Sequence, residues 1–178
     1  GVMCWRGSVT LTDVRIEENV ALQGGGGVCV FWPEARATLL RTVVRYNHAD
    51  FWGGGGVAAF RGVRAELQDV TIARNGGGLG GGVHIGAGSD VRFAANPRSS
   101  VYLNRAAVGA DLYCADSTYH VTAALDTFTV RQPRAHDAYP AGVFSLDVHA
   151  SAVASISEDL YVDPDRGNRA RFNRGMKG

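Results

Sequence analysis

Apolar and polar residues alternate in short runs over the first two thirds of the chain, and the runs return in step. Val9 and Leu11 alternate with polar neighbours, as do Val14 and Ile16, and then Val28 and Val30. Moved on by 28 residues, Leu11 falls on Leu39 and then Leu67, Val14 on Thr42 and Val70, and Ile16 on Val44 and Ile72. The period of two within each run gives strands of about three to five residues. The longer period makes each repeat a unit of three such strands. No stretch has helical spacing, and Pro33 and the glycine runs would break one. The pattern predicts an all-β fold: a right-handed parallel β-helix of about four coils over residues 1–116. Each strand would pair with its counterpart one coil away, at a rise of roughly 4.8 Å. A smaller β-rich extension would follow over 117–178.

The corners carry a second signal. Asn19, Asn47, Asn75 and Asn104 lie 28, 28 and 29 positions apart, each preceded three residues earlier by a branched apolar residue and followed by small residues. The small runs are Gly24–Gly27, Gly53–Gly56, Gly80–Gly82 and Gly109–Ala110. Asparagine tolerates a left-handed bend, and its amide can bond the amides above and below, so the four form a predicted corner ladder. Glycine suits a place where coils pass with no room for a Cβ or where φ is positive. Gly76–Gly81 also satisfies GxGxxG, but no helix is predicted after it and no Gly-Lys-Ser/Thr follows, so phosphate cradling is disfavoured. Gly86–Phe93 imitates one calcium-binding nonapeptide, a motif that works only in tandem, and reads as a turn.

Phe93-Ala-Ala-Asn96 and the Gly-Gly-Val triplets at 26–28, 55–57 and 81–83 resemble the Phe-x-x-Asn and Gly-Gly-Ala-Ile motifs of the polymorphic outer membrane protein repeats. Those passengers are similar to autotransporter and pectate-lyase-like β-helices. Ile16, Val44, Ile72 and Val101 stand where the family has Phe, and the resemblance covers roughly residues 9–116. It implies the β-helix fold and an extracellular or cell-surface setting. An intracellular scaffold on the same fold stays open.

Bulk properties narrow the function classes. The formal net charge of +1 gives no field for nucleic acid, and no apolar stretch approaches a membrane span, so neither nucleic-acid binding nor membrane insertion is expected. Glycine, at 24 of 178 residues, is the compositional outlier. The start at Gly1, without a leader, suggests a processed chain or a piece of a longer one. Cys4, Cys29 and Cys114 are odd in number and lack CxxC spacing, which argues against zinc; Cys29 and Cys114 read as small buried residues.

Candidate chemistry is sparse. Asp13 and Asp69 share one repeat position two coils apart, roughly 10 Å, with Arg41 between them. That separation suits an inverting glycosidase pair, and a charge ladder equally well. His48, His84, His120, His136 and His149 are scattered, and no metal or cofactor site is expected. A threonine array for ice fails, because Thr10 and Thr38 are followed by Glu66. Trp32 and Trp52, with Phe31 and Phe51, flank the glycine loops and could stack on sugars, dock a protein or cap the core. Arg169, Arg171 and Arg174 make a basic tail that could contact a partner. The expected function is therefore a non-catalytic structural or adhesive module of a larger surface or assembly protein. Its partners would be other protein chains or surface glycans, contacted through Trp32, Phe51, Trp52 and the tail arginines. A polysaccharide lyase or glycoside hydrolase of pectate-lyase-like fold is the alternative.

Overall fold

In the computed structural model, which describes residues 1–153, the chain winds into a parallel β-helix of about five turns. Arg169, Arg171 and Arg174 lie outside the described residues. The first coil comprises β1 (Val2–Cys4), β2 (Ser8–Thr12), β3 (Arg15–Glu17) and β4 (Val20–Ala21). The second has β5 (Val28–Phe31), β6 (Arg36–Leu40), β7 (Val43–Arg45) and β8 (His48–Ala49). The third has β9 (Val57–Phe60), β10 (Arg64–Gln68), β11 (Thr71–Ala73) and β12 (Gly76–Leu79). The fourth has β13 (Val83–Ile85), β14 (Asp90–Phe93), β15 (Ser99–Tyr102) and β16 (Arg105–Val108). Then come β17 (Leu112–Cys114), β18 (Val121–Phe128), β19 (Ala138–Tyr139) and β20 (Phe144–Ser151).

A coil therefore has four strands where the hydrophobic pattern predicts three. The fourth follows each corner asparagine and is two to four residues long, too short, and in β12 too rich in glycine, to show alternation. What defines it is backbone pairing with the coils on either side. Four parallel sheets result. Sheet 1 runs β1-β5-β9-β13-β17-β19, sheet 2 β2-β6-β10-β14, sheet 3 β3-β7-β11-β15-β18-β20 and sheet 4 β4-β8-β12-β16. Sheets 2 and 4 end with the fourth coil, while β18, β19 and β20 extend sheets 1 and 3 in the same parallel sense.

The core is made of stacked columns. Ile16, Val44, Ile72, Val101 and Phe128 are successive register partners, as are Val28, Val57, Val83 and Leu112, and every one of them is buried. Leu39, Leu67 and Phe93 stack in sheet 2. Phe93 thus belongs to a core column one corner earlier than the asparagine ladder, so Phe93-Ala-Ala-Asn96 is not equivalent to the other asparagine units.

The corner after sheet 3 forms the predicted ladder. Asn19 donates through its side-chain amide to Asn47 Oδ1 at 2.8 Å, Asn47 to Asn75 Oδ1 at 3.0 Å, and Asn75 to Asn104 Oδ1 at 3.0 Å. Each acceptor also takes the backbone N–H of the asparagine before it. An amide extends such a chain and ties down the corner as well, since one N–H reaches the next rung, the other a backbone carbonyl, and its oxygen accepts. The left-handed bend, however, is taken by the residue ahead of each asparagine, with φ of 59° at Glu18, 57° at Tyr46, 56° at Arg74 and 54° at Leu103.

The glycine run makes room for this ladder across the next corner. Gly25, Gly54, Gly80 and Gly109 turn the chain at φ between 60° and 69°. A Cβ on Gly56 would come within 2.9 Å of Asn75 Nδ2, and one on Gly55 within 2.0 Å of the Gly76 carbonyl oxygen. The glycines are therefore a steric consequence of two coils and an amide column meeting at one edge.

Candidate functional site

The outward positions of sheet 1 carry rings. Phe31 and Phe60 are register partners at the ends of β5 and β9, and His84, Tyr113 and Tyr139 are partners further along. With Trp5 they form one column whose successive centroids lie 4.9, 6.1, 4.8, 4.9 and 6.1 Å apart. Ring contacts at these separations stabilise the column beyond the burial of its apolar area. Hydrophobic patterning alone does not assemble it. A signal was present, since aromatic residues follow Gly-Val or Asp-Leu at Phe31, Phe60, His84 and Tyr113.

Stacking covers at least one face of each of these rings, although Trp5 at the end of the column is still 51% exposed. Trp32 is stacked on Trp5 at 5.7 Å, and the guanidinium groups of Arg6 and Arg61 lie 5.5 and 5.7 Å from its ring. Phe51 and Trp52 are different. They are 71% and 52% exposed and pair with no other ring among the described residues. A backbone bond from Trp52 N to Gln23 O at 2.6 Å fixes the loop against the coil before it. Trp52 lines two cavities on the edge between sheets 4 and 1. One, of about 590 Å³, has Met3, Trp5, Leu22 and Phe31 in its walls. The other, of about 440 Å³, has Phe51, Phe60, Arg61, His84 and Tyr113. Trp52 thus faces the wall of rings across an open apolar groove.

His84, buried in that wall, is pushed down to about 4 by loss of hydration and is neutral at physiological pH. Its Nδ1 faces the Leu79 carbonyl at 3.4 Å. The three cysteines are buried free thiols, and burial pushes Cys29 up to about 11, which leaves it unreactive.

Of the two carboxylates singled out in the sequence, Asp13 pairs with Arg41, whereas Asp69 meets no cation within ion-pair distance among the described residues. Arg41 donates to both oxygens of Asp13, at 2.6 and 2.8 Å, and this pairing holds Asp13 below the usual carboxylate range. Glu17 is held down in the same way by Arg45 and Arg15. His48 Nε2 lies 3.0 Å from Asp50 Oδ1. The segment from Gly86 closes a tight turn through Ser89 N to Gly86 O at 3.0 Å and leads into β14.

A polar cavity of about 780 Å³ occupies the corner between sheets 3 and 4, with Tyr46, His48, Arg74, Arg105, His136 and Asp137 in its walls. At its back is Asp111, 1% exposed, whose Oδ1 is bonded to Asn104 and whose Oδ2 has no protein partner. Burial raises its carboxyl to about 6. Sequence alone gave no reason to single out Asp111, which occupies the position of Gly27, Gly56 and Gly82.

No protein-family model, curated protein or solved structure matches the chain.

Proposed function

We propose that this β-helix is a non-catalytic structural or adhesive module of a larger surface or assembly protein, in the manner of outer membrane and autotransporter passengers. The observation that carries the reading is the Phe51-Trp52 loop, which holds two exposed rings against the groove of sheet 1. A soluble chain gains nothing in stability from rings left in water, whereas ring faces beside a groove suit stacking on a pyranose or on apolar side chains of another chain. The rigidity of stacked coils would hold that loop in place at little entropic cost on binding. The fold and its repeats suit a cell-surface or extracellular position, where a rod presents its edge to glycans or neighbouring chains. The carbohydrate-active enzyme has less support, because both oxygens of Asp13 are taken by Arg41.

The test is binding of the purified chain to an oligosaccharide array and to intact cells, with Phe51→Ala/Trp52→Ala as the comparison. Saturable binding that the double variant loses, with melting unchanged, is the expected result. Equal binding by both proteins would remove the groove from the proposal. Turnover of a polysaccharide by the unaltered chain would favour the enzyme instead.

A further inference from the structure

The polar corner cavity, which shares no lining residue with the aromatic groove although His48 is the register partner of the groove's Val20, changes its wall from coil to coil. His48, Gly76 and Arg105 are successive register partners on sheet 4, so its outward column reads imidazole, no side chain, guanidinium. His48 and Arg105 are two coils apart, roughly 10 Å along the axis; between them Gly76 has no side chain, the His48 ring leans over it with Nδ1 2.8 Å from where a Cβ would lie, and the notch is open on the side away from that ring. Beside this column stand Tyr46 and Arg74 at the corner.

The guanidinium groups beside the notch have no ion partner, although Asp111 and Asp137 line the same cavity. Neither Arg74 nor Arg105 meets a carboxylate within ion-pair distance among the described residues. Arg74 donates to Tyr46 Oη at 3.1 Å, which leaves the phenol hydrogen and most guanidinium N–H groups for another acceptor. His136 adds an imidazole at the far end. Asp137 is already bonded, its Oδ2 receiving the Arg134 N–H at 3.0 Å, and the free oxygen of Asp111 is sealed from solvent.

We propose that the notch over Gly76 binds a tetrahedral oxyanion carried as a monoester, sulfate or phosphate, with Arg105 and Arg74 as its ion partners and Tyr46 as a hydroxyl donor. A planar carboxylate is satisfied by one arginine fork. Donors on successive coils and from both sides of a corner instead suit a group that presents oxygens in three directions. The two arginines are exposed, so they are available to a ligand without unfolding any coil.

The experiment titrates the chain with inorganic sulfate, inorganic phosphate, a sulfated monosaccharide and a sugar phosphate, read by calorimetry and by amide chemical shifts. Saturable binding of at least one ester is expected, with shifts centred on Gly76 and Arg105. Arg105→Gln and Arg74→Gln should each weaken it by about tenfold or more, and Gly76→Ala should weaken it with charge unchanged. Arg92→Gln, on sheet 2 beside Asp90, should leave it as it is. A preference for the sulfated sugar identifies a glycan as the source, and a preference for the sugar phosphate a phosphorylated ligand. Absence of saturable binding by all four probes, or binding that survives Arg74→Gln and Arg105→Gln unchanged, overturns the proposal. Loss of groove binding in the Trp52 variant bears on neither outcome, since no residue lines both sites.

Discussion

The side chain of Asp111, from the glycine position seven residues on in the same coil, meets Asn104 where a further asparagine rung would lie. Its Oδ1 accepts both the backbone N–H of Asn104, at 3.1 Å, and the side-chain amide, at 2.9 Å. The amide column therefore ends on a carboxylate, which can accept but, when ionised, cannot pass a hydrogen bond on.

That ending has a pH signature. The folded-state value of about 6 lies above the ordinary 3.8, so the folded protein holds the Asp111 proton more tightly than the unfolded chain. Its contribution to stability is complete below about pH 4 and is lost as pH rises through 6, on the order of 2–3 kcal/mol in all. Asp111→Asn should remove this slope and raise the melting temperature at neutral pH. A lower melting temperature for the variant at pH 7.5 would show that the carboxylate is the better terminator.

His84 acts in the opposite sense. Its folded-state value of about 4 lies below the ordinary 6.5, so its contribution is present above 6.5 and is lost as pH falls towards 4, again on the order of 2–3 kcal/mol. The two windows overlap, and the slopes largely cancel between about pH 4 and 6. Unfolding followed by denaturant at a series of pH values should find the parent nearly flat there with respect to these groups. Asp111→Asn should then rise with pH and His84→Phe should fall; parallel slopes in the two variants would contradict the cancellation.

Asn47 is the most heavily engaged rung. Its amide donates to Ile16 O, Arg45 O and Asn75 Oδ1, and its oxygen accepts twice from Asn19. Asn47→Leu strands several buried partners and should cost about 3 kcal/mol or more. The midpoint of urea unfolding measures this, and an unchanged midpoint would dismiss the ladder as a stabilising element.

The glycines should divide sharply by place. Gly55→Ala puts a Cβ 2.0 Å from the Gly76 carbonyl oxygen, a backbone atom that cannot move without parting two coils. A loss of at least about 3 kcal/mol, or failure to fold, is expected. Gly142→Ala meets nothing within 4 Å and should stay within about 0.5 kcal/mol of the parent. Comparable melting curves for the two variants would contradict the steric account.

The fold was legible because its period is written in residues with few substitutes: amides continue the ladder, and glycine stands beside each step from one asparagine to the next. The fourth strand was not, because His48-Ala49 and Gly76–Leu79 are held by backbone pairing, which leaves no trace in side-chain pattern. The aromatic loops were legible only in part. Trp32 and Trp52 look alike in sequence, yet Trp32 is packed between Trp5 and two arginines, whereas Trp52 stands clear. Phe93-Ala-Ala-Asn96 misled because a motif carries no register, and the pairing of Phe93 with Leu67 supplies it. The corner cavity had no local sequence signal, since His48, Arg105 and His136 meet only through the winding of the chain.

Backbone hydrogen bonds between coils join immediate neighbours, as in Gly27 N to Gly55 O and Gly56 N to Gly81 O. Girth and length are thereby separate variables. A residue inserted between two corners disturbs every column it touches, whereas a whole coil of some 28 residues lengthens the rod by roughly 4.8 Å and leaves every existing contact intact. Duplication of one coil is thus the change this architecture accepts most readily, and reach can grow by copying without redesign of the parts already in place.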